Sequence, residues 1–169
     1  MEPIFKTKRL LVRELTTDDL APFHEMQGNV NVMRYVGTPP MNLEENRKDL
    51  EKVLSAYPTP ENEFNVWAVT TKPGGFVGTV ALLKNDKAEW EIGYRLLESK
   101  WGNGYGSEIT AGLINYAFRI HKVDILVAYV DKRNEASVHI LSKYMRFVKE
   151  FWNEVDQCTD LKFEINHRK

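Results

Sequence analysis

Three glycines at alternate positions, Gly102, Gly104 and Gly106, are separated only by Asn103 and Tyr105, and their spacing points most directly to chemistry. Without Cβ atoms such a loop lets backbone amides come close to a ligand. The amphipathic run behind it supplies a helix whose first-turn N–H groups have no partner inside that helix. These amides, with the positive end of the helix dipole, suit phosphate groups and pyrophosphate most of all. Spacing argues against two well-known glycine loops. A Walker loop needs Gly-x-x-x-x-Gly-Lys-Ser/Thr, and no lysine follows Gly106; a dinucleotide fingerprint needs Gly-x-Gly-x-x-Gly, whereas this loop is Gly-x-Gly-x-Gly. For the loop taken alone, a tight strand-to-helix turn without a ligand is the alternative.

The elements that must position this loop lie on either side of it. Residues 89–97 alternate as a strand does, with Trp90, Ile92, Tyr94 and Leu96 on one face and Glu89, Glu91, Gly93 and Arg95 on the other. Residues 105–121 place Ile109, Leu113, Tyr116 and Ala117 on one stripe, as in a core-facing helix. Upstream, residues 8–14 read as a first strand, and Thr16, Thr17, Asp18 and Asp19 open a helix to about residue 27. Residues 31–36 are ambiguous. Asn42 and Glu45 have capping-box spacing, ahead of a helix that buries Leu50, Val53 and Leu54. Residues 64–70 and 76–83 form a hairpin across Lys72-Pro73-Gly74-Gly75. Downstream, the apolar run 124–130 is a strand covered on both faces, 134–145 a helix, and 147–155 with 161–166 a closing hairpin. This order predicts a mixed α/β sheet in a single domain over residues 1–169.

Composition sets the class. The chain is 43% hydrophobic and 28% charged with a net charge of -1, which reads as a soluble globular protein and gives no whole-chain reason to expect nucleic acid. The single Cys158 has no internal disulfide partner and no metal-ligand spacing, and it is read as a structural thiol in a reducing compartment. No apolar run is long enough for a membrane span and no signal-peptide core is present, so a cytoplasmic location is expected.

Taken together, the motifs resemble the GNAT superfamily of acyl-CoA N-acyltransferases, and within it the RimJ/RimL-type branch of ribosomal-protein N-terminal acetyltransferases. The resemblance rests on Thr7-Lys8-Arg9-Leu10-Leu11-Val12-Arg13, on Glu91-Ile92-Gly93-Tyr94 followed by Trp101-Gly102-Asn103-Gly104-Tyr105-Gly106-Ser107-Glu108, and on Asn134-Glu135-Ala136-Ser137. It implies a single mixed, mostly antiparallel sheet of about seven strands flanked by about four helices, with splayed parallel strands at the centre.

It further implies that acetyl-CoA is the cosubstrate and that no metal takes part. Residues 102–107 would bind the pyrophosphate, and Leu96 and Leu97 would border the pantetheine. Trp101 stands where many superfamily members carry Arg or Gln, so the amides, with Lys100 nearby, would hold the phosphates. Direct attack by an amine needs a base and a donor for the leaving thiolate. Glu91 is the implied base, acting through water, and an ion-paired strand carboxylate is the alternative; Glu108 is a weaker candidate, read first as a helix-dipole partner. Leu141 occupies the position of the usual catalytic tyrosine, which leaves Ser137 as donor, with Asn134 bonding the pantetheine or capping the helix. Tyr144 reads as core. Lys143-Tyr144-Met145-Arg146-Phe147 lacks the family's helix-ending glycine, which predicts a rearranged helix end. The implied acceptor is a protein or peptide α-amine; alternatives are a small amine such as a polyamine, or a non-catalytic acyl-CoA sensor. Neither nucleic acid nor membrane is expected as a partner, and a monomer or homodimer is.

Overall fold

The computed structural model describes residues 2–167. Its strands are β1 (Phe5–Lys6), β2 (Leu10–Arg13), β3 (Phe64–Thr71), β4 (Phe76–Lys84), β5 (Trp90–Leu96), β6 (Ile125–Asp131), β7 (Arg146–Asn153) and β8 (Cys158–Asn166). Its helices are α1 (Leu20–Gln27), α2 (Val30–Met33), α3 (Leu43–Ala56), α4 (Tyr105–Arg119) and α5 (Glu135–Tyr144). All eight strands form one sheet in the order β1-β2-β3-β4-β5-β6-β8-β7.

Seven strands and four helices were the expectation. The additions are β1, at two residues too short to show a period, and α2, four residues inside the ambiguous segment. Asn29 nucleates α2 by accepting from the Asn31 and Val32 amides. Asn42 and Glu45 form the capping box read from their spacing.

Every neighbouring pair of strands is antiparallel except β5 and β6, which run parallel and pair only at Trp90↔Leu126 and Glu91↔Val127. From Ile92 onward the two strands separate, and the central sheet opens. Alternation along β5 assigns the two sides of that opening. Ile92 and Leu96 join the core under α4 and α5, whereas Leu97 joins Leu15, Phe23, Met26, Leu50, Val53 and Ala68 under α1 and α3.

Helix α5 ends without a left-handed residue. Met145 is extended (φ -129, ψ 154), sends its amide to the Leu141 carbonyl at 2.8 Å and is buried as the chain enters β7. An immediate strand replaces the glycine cap, since an extended residue needs no positive φ. No helix of the described residues is long and apolar enough to cross a membrane.

Candidate active site

The glycine loop begins where β5 leaves the sheet. The Trp101 indole donates to the Leu96 carbonyl at 3.2 Å, and the Asn103 side-chain amide donates to the carbonyls of Lys100 and Trp101, which folds the loop back on the strand end. Gly102 (φ +73) and Gly104 (φ +76) are left-handed, the conformation that favours glycine, and Gly104 is the N-cap of α4. Glu108 makes the first backbone bond into α4, to the Gly104 carbonyl at 3.1 Å. The amides of residues 105–107 therefore point out of the helix end, free to meet an anion. At Gly106 a Cβ would lie 2.9 Å from the Ile140 Cδ1 and 3.4 Å from the Tyr94 ring, so glycine lets α4, α5 and β5 meet.

Beside these amides lies a cleft of about 730 Å³ whose lining includes residues 101, 102 and 104–107, together with Leu96, Lys100, Arg34, Arg133 and Lys143. Outward amides and four cationic side chains fit the phosphates of coenzyme A. Leu96 faces this cleft. Leu97 does not: its amide donates to the Val77 carbonyl at 3.0 Å, its carbonyl accepts from Lys100 at 2.9 Å, and its side chain is buried beneath α1 and α3. Alternation along the strand turns it to the opposite face, so it has no free group for pantetheine.

Glu108 is not available as a base. It accepts from the Thr7 hydroxyl at 2.5 Å, the Arg9 amide at 2.7 Å and the Arg9 guanidinium at 2.6 Å, while Arg9 also reaches the Asn103 carbonyl at 2.9 Å. Burial works to raise its carboxyl, but these donors outweigh it and hold the group below its ordinary value. Because the folded value is depressed, this stabilisation is present above about pH 4.3 and fades as pH falls through the folded value. Glu108→Ala is expected to cost about 2 kcal/mol at pH 7 by urea unfolding, with the gap to the parent narrowing as pH falls through the depressed folded value.

A second cavity of about 670 Å³ lies at the β5–β6 gap, bordered by Glu91, Gly93 and Arg95 of β5, Tyr129 and Asp131 of β6 and Phe151 of β7, and it reaches through the gap to Ile109 and Leu113 of α4. Asp86, Glu91, Asp131, Glu154, Asp156 and Asp160 give it an acidic lining, and Lys87 and Arg95 also border it. The Arg95 guanidinium is engaged with the Gln27 side chain, and Gln27 donates in turn to Asp49. At the top, the backbone at Gly37 (φ +81) lies against the Asp156 carboxylate, bringing the segment after α2 onto the β7–β8 turn.

The two cavities share Tyr35, Val36, Tyr94, Arg95, Asn134 and Ser137. Asn134 caps α5, accepting from the Ser137 amide at 3.3 Å, and its own position is fixed by the β6–α5 turn, where the Asp131 carboxylate binds the Arg133 guanidinium and amide. Capping uses Oδ1 alone; among the described residues no hydrogen bond occupies Nδ2. The Ser137 hydroxyl is hydrogen-bonded to the Tyr94 hydroxyl at 3.0 Å, and burial raises the Tyr94 phenol above its ordinary value, keeping it protonated. Alternation places Tyr94 on one strand face with Trp90, Ile92 and Leu96, without a role in the site. The missed signal is its place, the last aromatic of β5 before the glycine loop, where the strand has left its neighbour. Leu141 is buried and supplies no donor, and the Tyr144 hydroxyl is spent on Ser107 at 2.8 Å, joining α5 to the start of α4.

On the opposite face of β5, Glu91 borders the acidic cavity. Burial pushes its carboxyl above the ordinary value, opposed by the Asn85 side-chain amide, which donates to it at 3.0 Å. Gly93, two residues on, faces the same cavity, and a Cβ there would meet nothing within 4 Å. Burial and Asp160 push the Cys158 thiol up to about 12, so it is not a ready nucleophile.

Residues 9–144 match the family described as Acetyltransferase (GNAT) domain. The sequence is 31% identical to the uncharacterized N-acetyltransferase YoaA of Bacillus subtilis (strain 168), over 89% of this chain and 85% of that protein. Its fold is similar to that of RimL, the ribosomal L7/L12 alpha-N-protein acetyltransferase, in complex with coenzyme A (TM-score 0.82, 15% identity, 98% of both chains). It is similar too to spermidine N-acetyltransferase from Vibrio cholerae in complex with CoA and spermine (TM-score 0.80, 19% identity, 95% of this chain and 97% of that one). The chain belongs to the GNAT acetyltransferase family and is an acetyl-CoA-dependent N-acetyltransferase.

Proposed function

Proceeding from that membership, we propose that the chain acetylates a primary amine held in the acidic cavity, with the coenzyme in the glycine-loop cleft and both bound at once. The observation that carries this reading is the meeting of the two cavities at Tyr94, Asn134 and Ser137, in the gap between β5 and β6. Acetyl-CoA supplies the acetyl group as a thioester. Amides 105–107, with Lys100 and the other cations of the cleft, hold its phosphates; Gly102, Asn103 and Gly104 shape the loop, and Trp101 pins it to Leu96. The Asn134 Nδ2 group would bond the pantetheine or position the acyl group.

Glu91 takes one proton from the arriving ammonium through water, the freed amine forms the nitrogen–carbon bond, the carbon–sulfur bond breaks, and Ser137, relayed by Tyr94, protonates the departing sulfur while the second proton shed by the acylated nitrogen restores the donor pair. The acidic lining favours a cationic acceptor. Following the resemblance to the RimJ/RimL branch, the first assignment is the α-amine of a protein or peptide. The same lining favours a small cationic amine as the second. Location in the cytoplasm and a single domain are part of this proposal.

Ser137→Ala and Tyr94→Phe separate the donor from the scaffold. Each is expected to lower kcat about 10-fold to 100-fold while leaving the coenzyme dissociation constant, measured by calorimetry, within about twofold of the parent. Unchanged kcat in Ser137→Ala would remove that hydroxyl from the reaction.

A further inference from the structure

Lys87, on the turn between β4 and β5, enters the acidic cavity without an ion-pair partner among the described residues. Its ammonium lies 4.5 Å from the centroid of the Tyr129 ring and 5.3 Å from that of Phe151. The two rings meet edge to face, centroids 5.9 Å apart, on β6 and β7. Lys162 and Lys149 also lie over them, at 5.7 Å from Tyr129 and 5.3 Å from Phe151. Lys162 is engaged by Glu89, and the Tyr129 hydroxyl donates to Glu89 at 2.6 Å, which fixes that ring from behind. The Lys87 ammonium also donates to the Tyr129 hydroxyl at 3.5 Å, so ring faces, that hydroxyl and nearby carboxylates hold a flexible alkylammonium that makes no salt bridge among the described residues.

We propose that the Tyr129–Phe151 corner is a second ammonium seat of the acceptor site, held in the free protein by Lys87 and given up to a distal alkylammonium of the acceptor. The acceptor class that follows carries a second alkylammonium group, separated by an alkyl or peptide spacer from the amine that reacts. The inference rests on the assignment of this cavity to the acceptor. A lysine in the seat competes with such a ligand, so its removal should tighten binding, and should do so only while the aromatic corner is intact.

The test uses decane-1,10-bis(trimethylammonium), which contains no nitrogen able to accept an acetyl group, so its binding to the full chain reads the seat independently of transfer. By calorimetry, Lys87→Met is expected to tighten binding about fivefold, the size of a partly desolvated cation–ring contact. In a Phe151→Leu background the same substitution is expected to change affinity less than twofold, because contacting residues are not additive. Tightening of equal size in both backgrounds would mean that only overall charge had changed and would overturn the seat, as would no tightening at all. Acetyl transfer from acetyl-CoA to 1,10-diaminodecane and to an N-terminally free lysine-containing peptide is measured in parallel. Transfer without the seat response sinks the seat alone; the seat response without transfer to any amine sinks the acceptor reading while leaving the ammonium seat standing.

Discussion

Replacing Glu91 by Gln is expected to lower kcat/KM at pH 7 by about 10²–10⁴, the usual reach of a positioned general base. Gln retains the volume and accepts the Asn85 hydrogen bond, so coenzyme affinity and melting temperature should stay close to the parent. The pH profile carries the more specific signature. Burial raises the Glu91 carboxyl, so the acid limb of the parent profile should lie above about pH 4.3, the ordinary glutamate value, and activity should rise as the carboxyl ionises. Glu91→Gln should lack that limb. Its defect should also shrink toward pH 10, where an alkylamine loses its proton to solvent and needs no base. An equal defect at every pH would assign Glu91 to structure.

The second large effect belongs to Gly93. Nothing lies within 4 Å of where its Cβ would be, and its φ is not one that restricts the position to glycine, so Gly93→Leu should fold with a melting temperature close to the parent. The new side chain would project into the acidic cavity between Glu91 and the gap. Turnover is expected to fall at least 100-fold, since displacement of a reacting group by about 1 Å can cost that much, while coenzyme binding on the other face is retained. Coenzyme binding lost together with turnover would contradict the division of the site between the two faces of β5.

Much of this arrangement was legible in the sequence because it depends on local periodicity. Alternation along residues 89–97 placed Glu91 and Gly93 on one face and Tyr94 and Leu96 on the other, as the structure has them. The alternating glycines marked a loop leading from strand to helix, and Asn134 was recognisable as a cap. What stayed hidden depends on contacts between distant segments. Tyr94 is one of four residues on a strand face until Ser137, 43 residues later, is brought to its hydroxyl. Glu108 looks like a dipole partner until Thr7 and Arg9 close on it from about a hundred residues away. Leu97 differs from Leu96 by one step along the chain, and that step puts it on the other side of the sheet. The Lys87 seat joins a turn to two strands that no spacing rule connects.

The central claim is that amine and coenzyme occupy the two cavities together and react directly across the gap. Initial velocities of thiol release, measured with acetyl-CoA and a primary amine varied against each other, test it most directly. Intersecting reciprocal plots, with no acetylated protein found by mass spectrometry when the amine is omitted, are the predicted result. Parallel plots, accompanied by an acetyl group carried on Ser137 or another side chain before the amine is added, would contradict it.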